Sequence, residues 1–401
     1  MDGIRPSHSV YHLYDRHVNR TKAPRRSSPN IMYCGYFRNT EKVLTLGLCM
    51  IVKNEEEVLA RCLDSVKGIF DQIVIADTGS EDRTAEIAAQ YADIVSPFPW
   101  TDDFSAARNF SFSLASTDYL MWLDADDVLL PEDAEALLAW KQGDESADLY
   151  FLPYRADFDE DGHSSLIYLR ERIVRRGMYS WIGAVHEAIP PHGVTKTLDI
   201  CVTHRKPPSR SSGERNLRIL TRQIAQGTPL DARNAFYFAR ELSDHGLYES
   251  AAAAFSAVIG GNGRIPDKIS ACRDLAACYR ALDDSDRAIA ALEQSFRFGP
   301  PRPEICCDLG AAYFNRGEID KAIGWYSIAL SLPPDLSGGG FTYPDCSGFL
   351  PCIWLCVCYD RLGNREKAKY YNDRAGSYKP HDPGYLHNKQ YFETILHEGD
   401  S

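Results

Sequence analysis

The chain has 401 residues, 44% hydrophobic and 25% charged, with a formal net charge of −12. At ~150 residues per domain this length holds two or three folded domains, and the composition is that of a globular chain. The acidic balance argues against a general nucleic-acid binder, and no stretch approaches the ~18 consecutive apolar residues of a membrane span.

Residues 1–42 run against the overall charge, with eight Lys/Arg and three Asp/Glu. No apolar core follows the basic residues, so the expectation is a basic extension without a secretion signal. Leu44–Val52 is an apolar run that ends at Lys53-Asn54-Glu55. Val58, Leu59, Cys62, Leu63 and Val66 then recur at helical spacing. Gln72–Ala76 is a second strand, ending at Asp77. Thr78-Gly79-Ser80 turns, and Ser80 suits the N-cap of a helix with Glu81 and Asp82 in its first turn. Asp93–Ser96 is a third strand, Ala106–Ala115 a helix, and Tyr119–Leu123 a strand ending at Asp124. Alternating strands and helices predict a parallel sheet with helices on its faces. Its ligand would sit beyond the carboxyl ends of the strands, among the polar clusters at 53–55, 77–79 and 124–127. Neither GxGxxG nor a Walker loop is present, so a nucleotide here would be held by carboxylates and a metal. Strand character returns at Tyr150-Phe151-Leu152, Ile173-Val174-Arg175 and Ile200-Cys201-Val202-Thr203. Lys206–Glu214 reads as a linker.

The second half repeats. Leu275-Ala276-x2-Tyr279, Ala288, Leu292, Ser295 and Pro300 recur 34 residues later as Leu309-Gly310-x2-Tyr313, Ala322, Tyr326, Ala329 and Pro334. A further copy, Leu355-Cys356-x2-Tyr359, lies at an offset of 46, which leaves a twelve-residue insertion in the glycine-rich Asp335–Cys346. A weaker copy begins at Phe238-Ala239. A 34-residue period of helix pairs is the signature of tetratricopeptide repeats. Of twelve cysteines, eight lie after residue 270 and none forms CxxC. They read as small buried apolar residues in a reducing, cytoplasmic compartment.

Asp124-Ala125-Asp126 is a DxD at a strand end. In extended chain residues i and i+2 face the same way, so two carboxylates can meet one hard cation. The competing reading is an acidic cap on the helix that starts at Pro131.

Four segments in order carry a family resemblance: Cys49-Met-Ile-Val-Lys-Asn-Glu-Glu56, Val74-Ile-Ala-Asp-Thr-Gly-Ser-x-Asp-x-Thr84, Asp103-Phe-Ser-Ala-Ala-Arg-Asn109 and Trp122-Leu-Asp-Ala-Asp-Asp127. Together they resemble family 2 glycosyltransferases of the GT-A fold. With the repeats behind it, the chain resembles a bacterial subgroup that includes the peptide S-/O-glycosyltransferases of glycocins. The implied architecture is α/β GT-A, a Rossmann-like mixed sheet with helices on both faces, over 43–210. A linker helix at 211–230 and an all-α repeat solenoid at 231–401 follow.

The resemblance also implies roles. Ile51, Val52 and Asn54 would line the base and ribose pocket. Asp77 would accept the uracil N3–H, favouring a UDP-sugar; its competing role is to form a turn. Arg108 would grip nucleotide or phosphate; otherwise it makes a surface ion pair. Asp124 would touch ribose or metal, and Asp126 would coordinate the metal. Val202-Thr203-His204 resembles a strand-end metal ligand, against a structural histidine at the domain edge. Ser180-Trp181-Ile-Gly-Ala-Val-His186-Glu187 resembles the acceptor side. Family 2 enzymes invert the anomeric centre with one carboxylate as base. Glu187 is the candidate, with Asp157, Asp159, Glu160 and Glu171 as rivals and a salt bridge to Arg172 or Arg175 as its competing role. Trp181 reads as a core residue.

The expected function is therefore metal-dependent (Mn²⁺ or Mg²⁺) inverting transfer of a hexose or N-acetylhexosamine from a UDP-sugar. The acceptor would be a peptide or protein held along the repeats. A cell-surface glycan or lipid-linked acceptor, and a decayed scaffold, are the alternatives. Exposed repeat faces leave room for a homodimer.

Overall fold

The computed structural model describes residues 44–143, 147–159, 162–206, 214–336 and 339–399. The basic extension 1–42, most of the predicted linker and the rival base Glu160 lie outside them.

The first half alternates as predicted: β1 (Leu46–Val52), α1 (Leu59–Ser65), β2 (Gln72–Asp77), α2 (Thr84–Ala88), β3 (Ile94–Pro97), α3 (Phe104–Leu114), β4 (Tyr119–Trp122). A two-residue β5 (Asp127–Val128) and α4 (Pro131–Lys141) follow, then the long hairpin β6 (Leu149–Phe158) and β7 (Ser164–Arg175), and short β8 (Thr195–Thr197) and β9 (Val202–His204). The sheet runs β3-β2-β1-β4-β7-β6-β9-β5, with β8 beside β6. Its β3-β2-β1-β4 half is parallel, and β7 turns antiparallel against β4 and β6. Strand β1 is apolar throughout because both faces are covered. Leu46, Leu48 and Met50 pack on Leu59 and Leu63 of α1, whereas Cys49 joins Phe112 of α3, Leu120, Trp122 and Trp181 on the opposite face. This is the expected mixed α/β sheet.

One predicted helix start moves. Helix α2 begins at Thr84 rather than after Ser80. The Asp77 carboxylate takes the Ser80 amide and hydroxyl (2.9 and 2.8 Å), and Asn54 Oδ1 accepts from the Glu81 amide (2.8 Å), so these residues form a loop first.

From α5 (Arg215–Ala225) onward the chain is helical. Four hairpins follow: α6 (Ala232–Asp244) with α7 (Tyr248–Gly260), α8 (Ile265–Ala281) with α9 (Ser285–Gln294), α10 (Pro303–Asn315) with α11 (Ile319–Ser331), and α12 (Phe349–Arg361) with α13 (Arg365–Tyr378). Helix α14 (Pro383–Gly399) ends the described chain. The repeated small residues sit where paired helices meet. A Cβ on Gly310 would lie 2.8 Å from the Tyr326 ring, so the sequence period marks a real close approach.

The described residues fall in one compact unit. The insertion docks back onto the sheet: Thr342 and Ile167 of β7 exchange backbone hydrogen bonds (2.9 and 2.8 Å). Lys379, after α13, meets Asp159 beyond β6 and Asp345 of the insertion, each at 2.7 Å. The eleven described cysteines are free and buried. No helix among the described residues is long and apolar enough to cross a membrane.

Candidate functional site

The acidic cluster forms where β4 ends, and not by strand alternation. The Asp127 amide donates to the Asp124 carbonyl (3.0 Å), so 124–127 is a turn rather than extended chain. Asp127 then opens β5 and pairs directly with His204 of β9. The Arg205 amide donates to the Asp126 carbonyl (2.8 Å) and holds the two segments together. As a result His204 Nδ1 lies 3.5 Å from Asp126 Oδ1 and 3.6 Å from Asp127 Oδ1.

Asp127 is fully buried. Its Oδ1 accepts from the Tyr154 hydroxyl (2.8 Å), and its Oδ2 accepts from the Asp124 amide and Arg172 (3.0 Å each). Arg172 in turn lies 3.7 Å over the Trp122 ring. Asp127 thus fixes the turn, and sequence reasoning missed it. Its signal was the third carboxylate in Asp124-Ala125-Asp126-Asp127.

Asp126, His204 and Asp127 offer two carboxylate oxygens and an imidazole nitrogen within 4.8 Å of one another. His204 Nδ1 is buried without a hydrogen-bond partner and faces these carboxylates. Burial raises the Asp126 carboxyl, and Asp124 and Asp127 beside it raise it further against the pull of His204. Burial depresses the His204 imidazole, yet Asp127, Asp126 and Asp124 outweigh burial and raise it. An orphaned ring nitrogen facing clustered carboxylates fits a hard divalent cation.

Asp124 points elsewhere. Its Oδ1 accepts from Arg108 Nη2 (2.7 Å), and Arg108 Nε donates to Glu187 Oε1 (2.6 Å). The guanidinium lies against the edge-to-face pair of Trp122 (4.6 Å) and Trp181 (4.8 Å), and Arg108 is only 6% exposed. Burial opposes the charge, but Asp124 and Glu187 outweigh it and raise Arg108. Burial likewise opposes ionised Asp124, and Arg108 with Arg172 holds the carboxyl low. Burial sets Arg108 apart from the competing reading of a surface ion pair. Arg108 also replaces Arg172 and Arg175 as the ion-pair partner of Glu187. Trp181 is a core residue, 2% exposed. Asn109 exchanges hydrogen bonds with the Trp181 backbone (3.0 and 2.8 Å), which zips α3 to the loop bearing Glu187.

At the other strand ends, Asp77 Oδ1 accepts from the Gly79 and Ser80 amides (3.1 and 2.9 Å), and Oδ2 accepts nothing among the described residues. Asn54 adopts φ 54°, a conformation asparagine tolerates, and ties its loop to Ser80 and Glu81. Val52 packs into the core, and its carbonyl accepts from the Thr78 amide (2.9 Å); Ile51 is half-buried.

A cavity of about 890 Å³ opens onto Asp124 and His204. The sheet supplies Tyr154, Tyr168, Asp157 and Glu171, the repeats supply Tyr237 and Arg240, and the insertion supplies Phe341. Glu187 does not line it. Glu171 Oε1 is occupied by the Ile189 amide (3.1 Å), whereas the Asp157 carboxylate has no partner among the described residues.

A mixed α/β domain that carries this acidic cluster is thus followed by helix-pair repeats. Residues 48–192 match the family described as glycosyl transferase family 2, so the chain carries a domain similar to that family. It is 29% identical over 302 residues to a TPR repeat-containing protein of Synechococcus elongatus, covering 72% of this chain and 67% of that protein. It is 27% identical over 226 residues to the SPbeta prophage-derived glycosyltransferase SunS of Bacillus subtilis, covering 53% of this chain and 52% of SunS. The chain thus spans about half the length of SunS. Among solved structures, a thermophilic TPR protein of Thermus thermophilus is 20% identical, covering 46% of this chain and 90% of that one, at a TM-score of 0.33.

Proposed function

We propose that this protein transfers a hexose or N-acetylhexosamine from a UDP-sugar to a peptide or protein, with inversion, using a divalent metal. The observation that carries the reading is that His204, a member of the Asp126–His204–Asp127 cluster, lines a cavity walled by both halves of the chain.

Asp126 and His204 would hold the cation, with Asp127 fixing the turn beneath them. When bound, Mn²⁺ or Mg²⁺ supplies charge neutralisation for a diphosphate leaving group. Asp77 keeps one oxygen clear while two amides orient the other, as recognition of the uracil N3–H requires. Ile51 and Asn54 would border that pocket, Asn54 chiefly by shaping its loop and Val52 through its backbone. Asp124, ionised and fixed by Arg108, would accept from the ribose. Glu187 is proposed as the base. Arg108 holds its Oε1, and catalytic hydrogen bonds tighten when substrate binds. Asp157 is the rival that the cavity favours. The aromatic and arginine side chains of the cavity suit an extended peptide better than a flat membrane surface. Free buried cysteines agree with a reducing, cytoplasmic setting.

The test has two stages. UDP release from a panel of UDP-sugars identifies the donor. Transfer is then scored by mass spectrometry on peptide pools bearing Ser, Thr or Cys, and on glycan acceptors. Mass addition to peptides supports the reading, and modification of glycans alone overturns its acceptor half.

A further inference from the structure

The loop carrying Glu187 does not stand on the transferase domain alone. Gly183 and His186 take left-handed backbone (φ 96° and 51°), and Ile182 and Ala188 close the loop by mutual backbone hydrogen bonds (3.0 and 3.1 Å). The outer surface of this loop is gripped by one face of α6. The His186 ring stacks on Tyr237 at 4.0 Å and 11°. Its Nε2 lies 3.0 Å from Glu241 Oε1, and its carbonyl accepts from Arg233 Nε (3.0 Å). Positions 233, 237 and 241 are successive turns of one helix face. Glu241 is buried and also accepts from Asn216 of α5 (3.0 Å), so the clamp is built from two helices.

Helix α5 grips the opposite partner of the same network. Arg218 forks onto Asp102 with two 2.9 Å hydrogen bonds, and Arg215 lies 4.7 Å over Phe104, the first residue of α3. Helix α3 carries Arg108. The Phe104 amide donates to the Ala184 carbonyl (2.9 Å) and joins the two clamped segments.

We propose that α5 and α6 are a working part of the transfer site: Tyr237 and Glu241 act as positioning residues that hold His186, and with it Glu187 and Arg108, in register with the metal cluster. The proposal rests on the transferase reading above. A module that only docked acceptor would leave the chemistry on the donor untouched, because no acceptor need be present for a donor to hydrolyse. A positioning role makes that basal reaction depend on the helices.

The test compares full-length wild type with Glu241→Ala, Glu241→Gln, Tyr237→Ala and Tyr237→Phe. Each is measured for UDP release without acceptor and for amide hydrogen exchange over residues 180–189. Glu241→Ala and Tyr237→Ala are expected to lower kcat at least about tenfold, with donor KM within about twofold. They should also speed exchange of the loop. Glu241→Gln, which can still accept from His186, and Tyr237→Phe, which keeps the stack, are expected to restore most of both. Thermal melts identify any variant that fails to fold, and the conservative pair then carries the comparison. Full release with unchanged exchange in the alanine variants overturns the proposal. Unchanged exchange overturns it equally if the wild type proves silent on every donor, a silence that by itself counts against the transferase reading and not against the clamp.

Discussion

Asp127 is committed to Arg172 and Asp124 to Arg108, whereas Asp126 faces His204 at 3.5 Å, so it is the residue whose loss should cost chemistry and little else. Asp126→Ala is expected to cut transfer by about two to three orders of magnitude, the size of losing a metal's several kcal/mol. Its melting temperature should stay near wild type. Wild-type rates in excess EDTA would contradict the metal assignment. Glu187→Gln can keep the Arg108 hydrogen bond while losing basicity, and should slow transfer by about 10²–10⁴-fold with UDP affinity unchanged. If Asp157→Asn produces that loss instead, the base is Asp157. The family resemblance, and not any spacing, put Asp126 and His204 forward as ligands of one metal although they lie far apart in the chain. Asp127 stayed unassigned because the alternation of extended chain was applied to what is a turn. The burial of Arg108 was not legible for a related reason: nothing local says that it packs against two tryptophans, one of them 73 residues away.

Elements with a strong period were the most legible. The recurrence of small and aromatic residues every 34 positions located the helix pairs, since close helix approach imposes that pattern directly. Gly310→Val tests the point. The added side chain meets the Tyr326 ring and should cost about 1–3 kcal/mol, a loss of several degrees in the repeat transition. An unchanged melt would mean that Tyr326 moves aside freely. The insertion at 335–346 was visible as an interruption, but its docking on β7 was not. A single backbone bridge at Thr342 leaves no side-chain pattern to read. The start of α2 was misplaced because Asp77 captured Ser80 within its own turn and Asn54 captured Glu81 from a loop 27 residues earlier in the chain.

At the scale of the molecule, the two halves are joined by ion pairs that ought to report on pH. Burial raises Glu241, yet His186 and Asn216 pull its carboxyl below the ordinary 4.5. Slight burial raises Asp159, yet Lys379 and the His163 amide pull it below 3.8. A carboxyl depressed in the folded state stabilises above its unfolded value, and that stability is lost as pH falls through the folded value. Melting temperature is therefore expected to hold to about pH 5 and to fall below about pH 4. Glu241→Gln should show a shallower fall; an acid limb identical to wild type would remove Glu241 from the account. Such contacts were unreadable in one sequence, because they pair residues whose meeting depends on how two folded halves dock. The cavity they enclose is where donor chemistry and acceptor must coincide. The central claim, a metal-dependent transferase acting on a UDP-sugar, is tested most directly by UDP release without acceptor. Wild type and Asp126→Ala would be compared across a donor panel, with Mn²⁺ and with EDTA. The account predicts slow release from a preferred donor by wild type with metal only. Release that survives EDTA or the substitution would contradict it, as would silence on every donor with no detectable UDP binding.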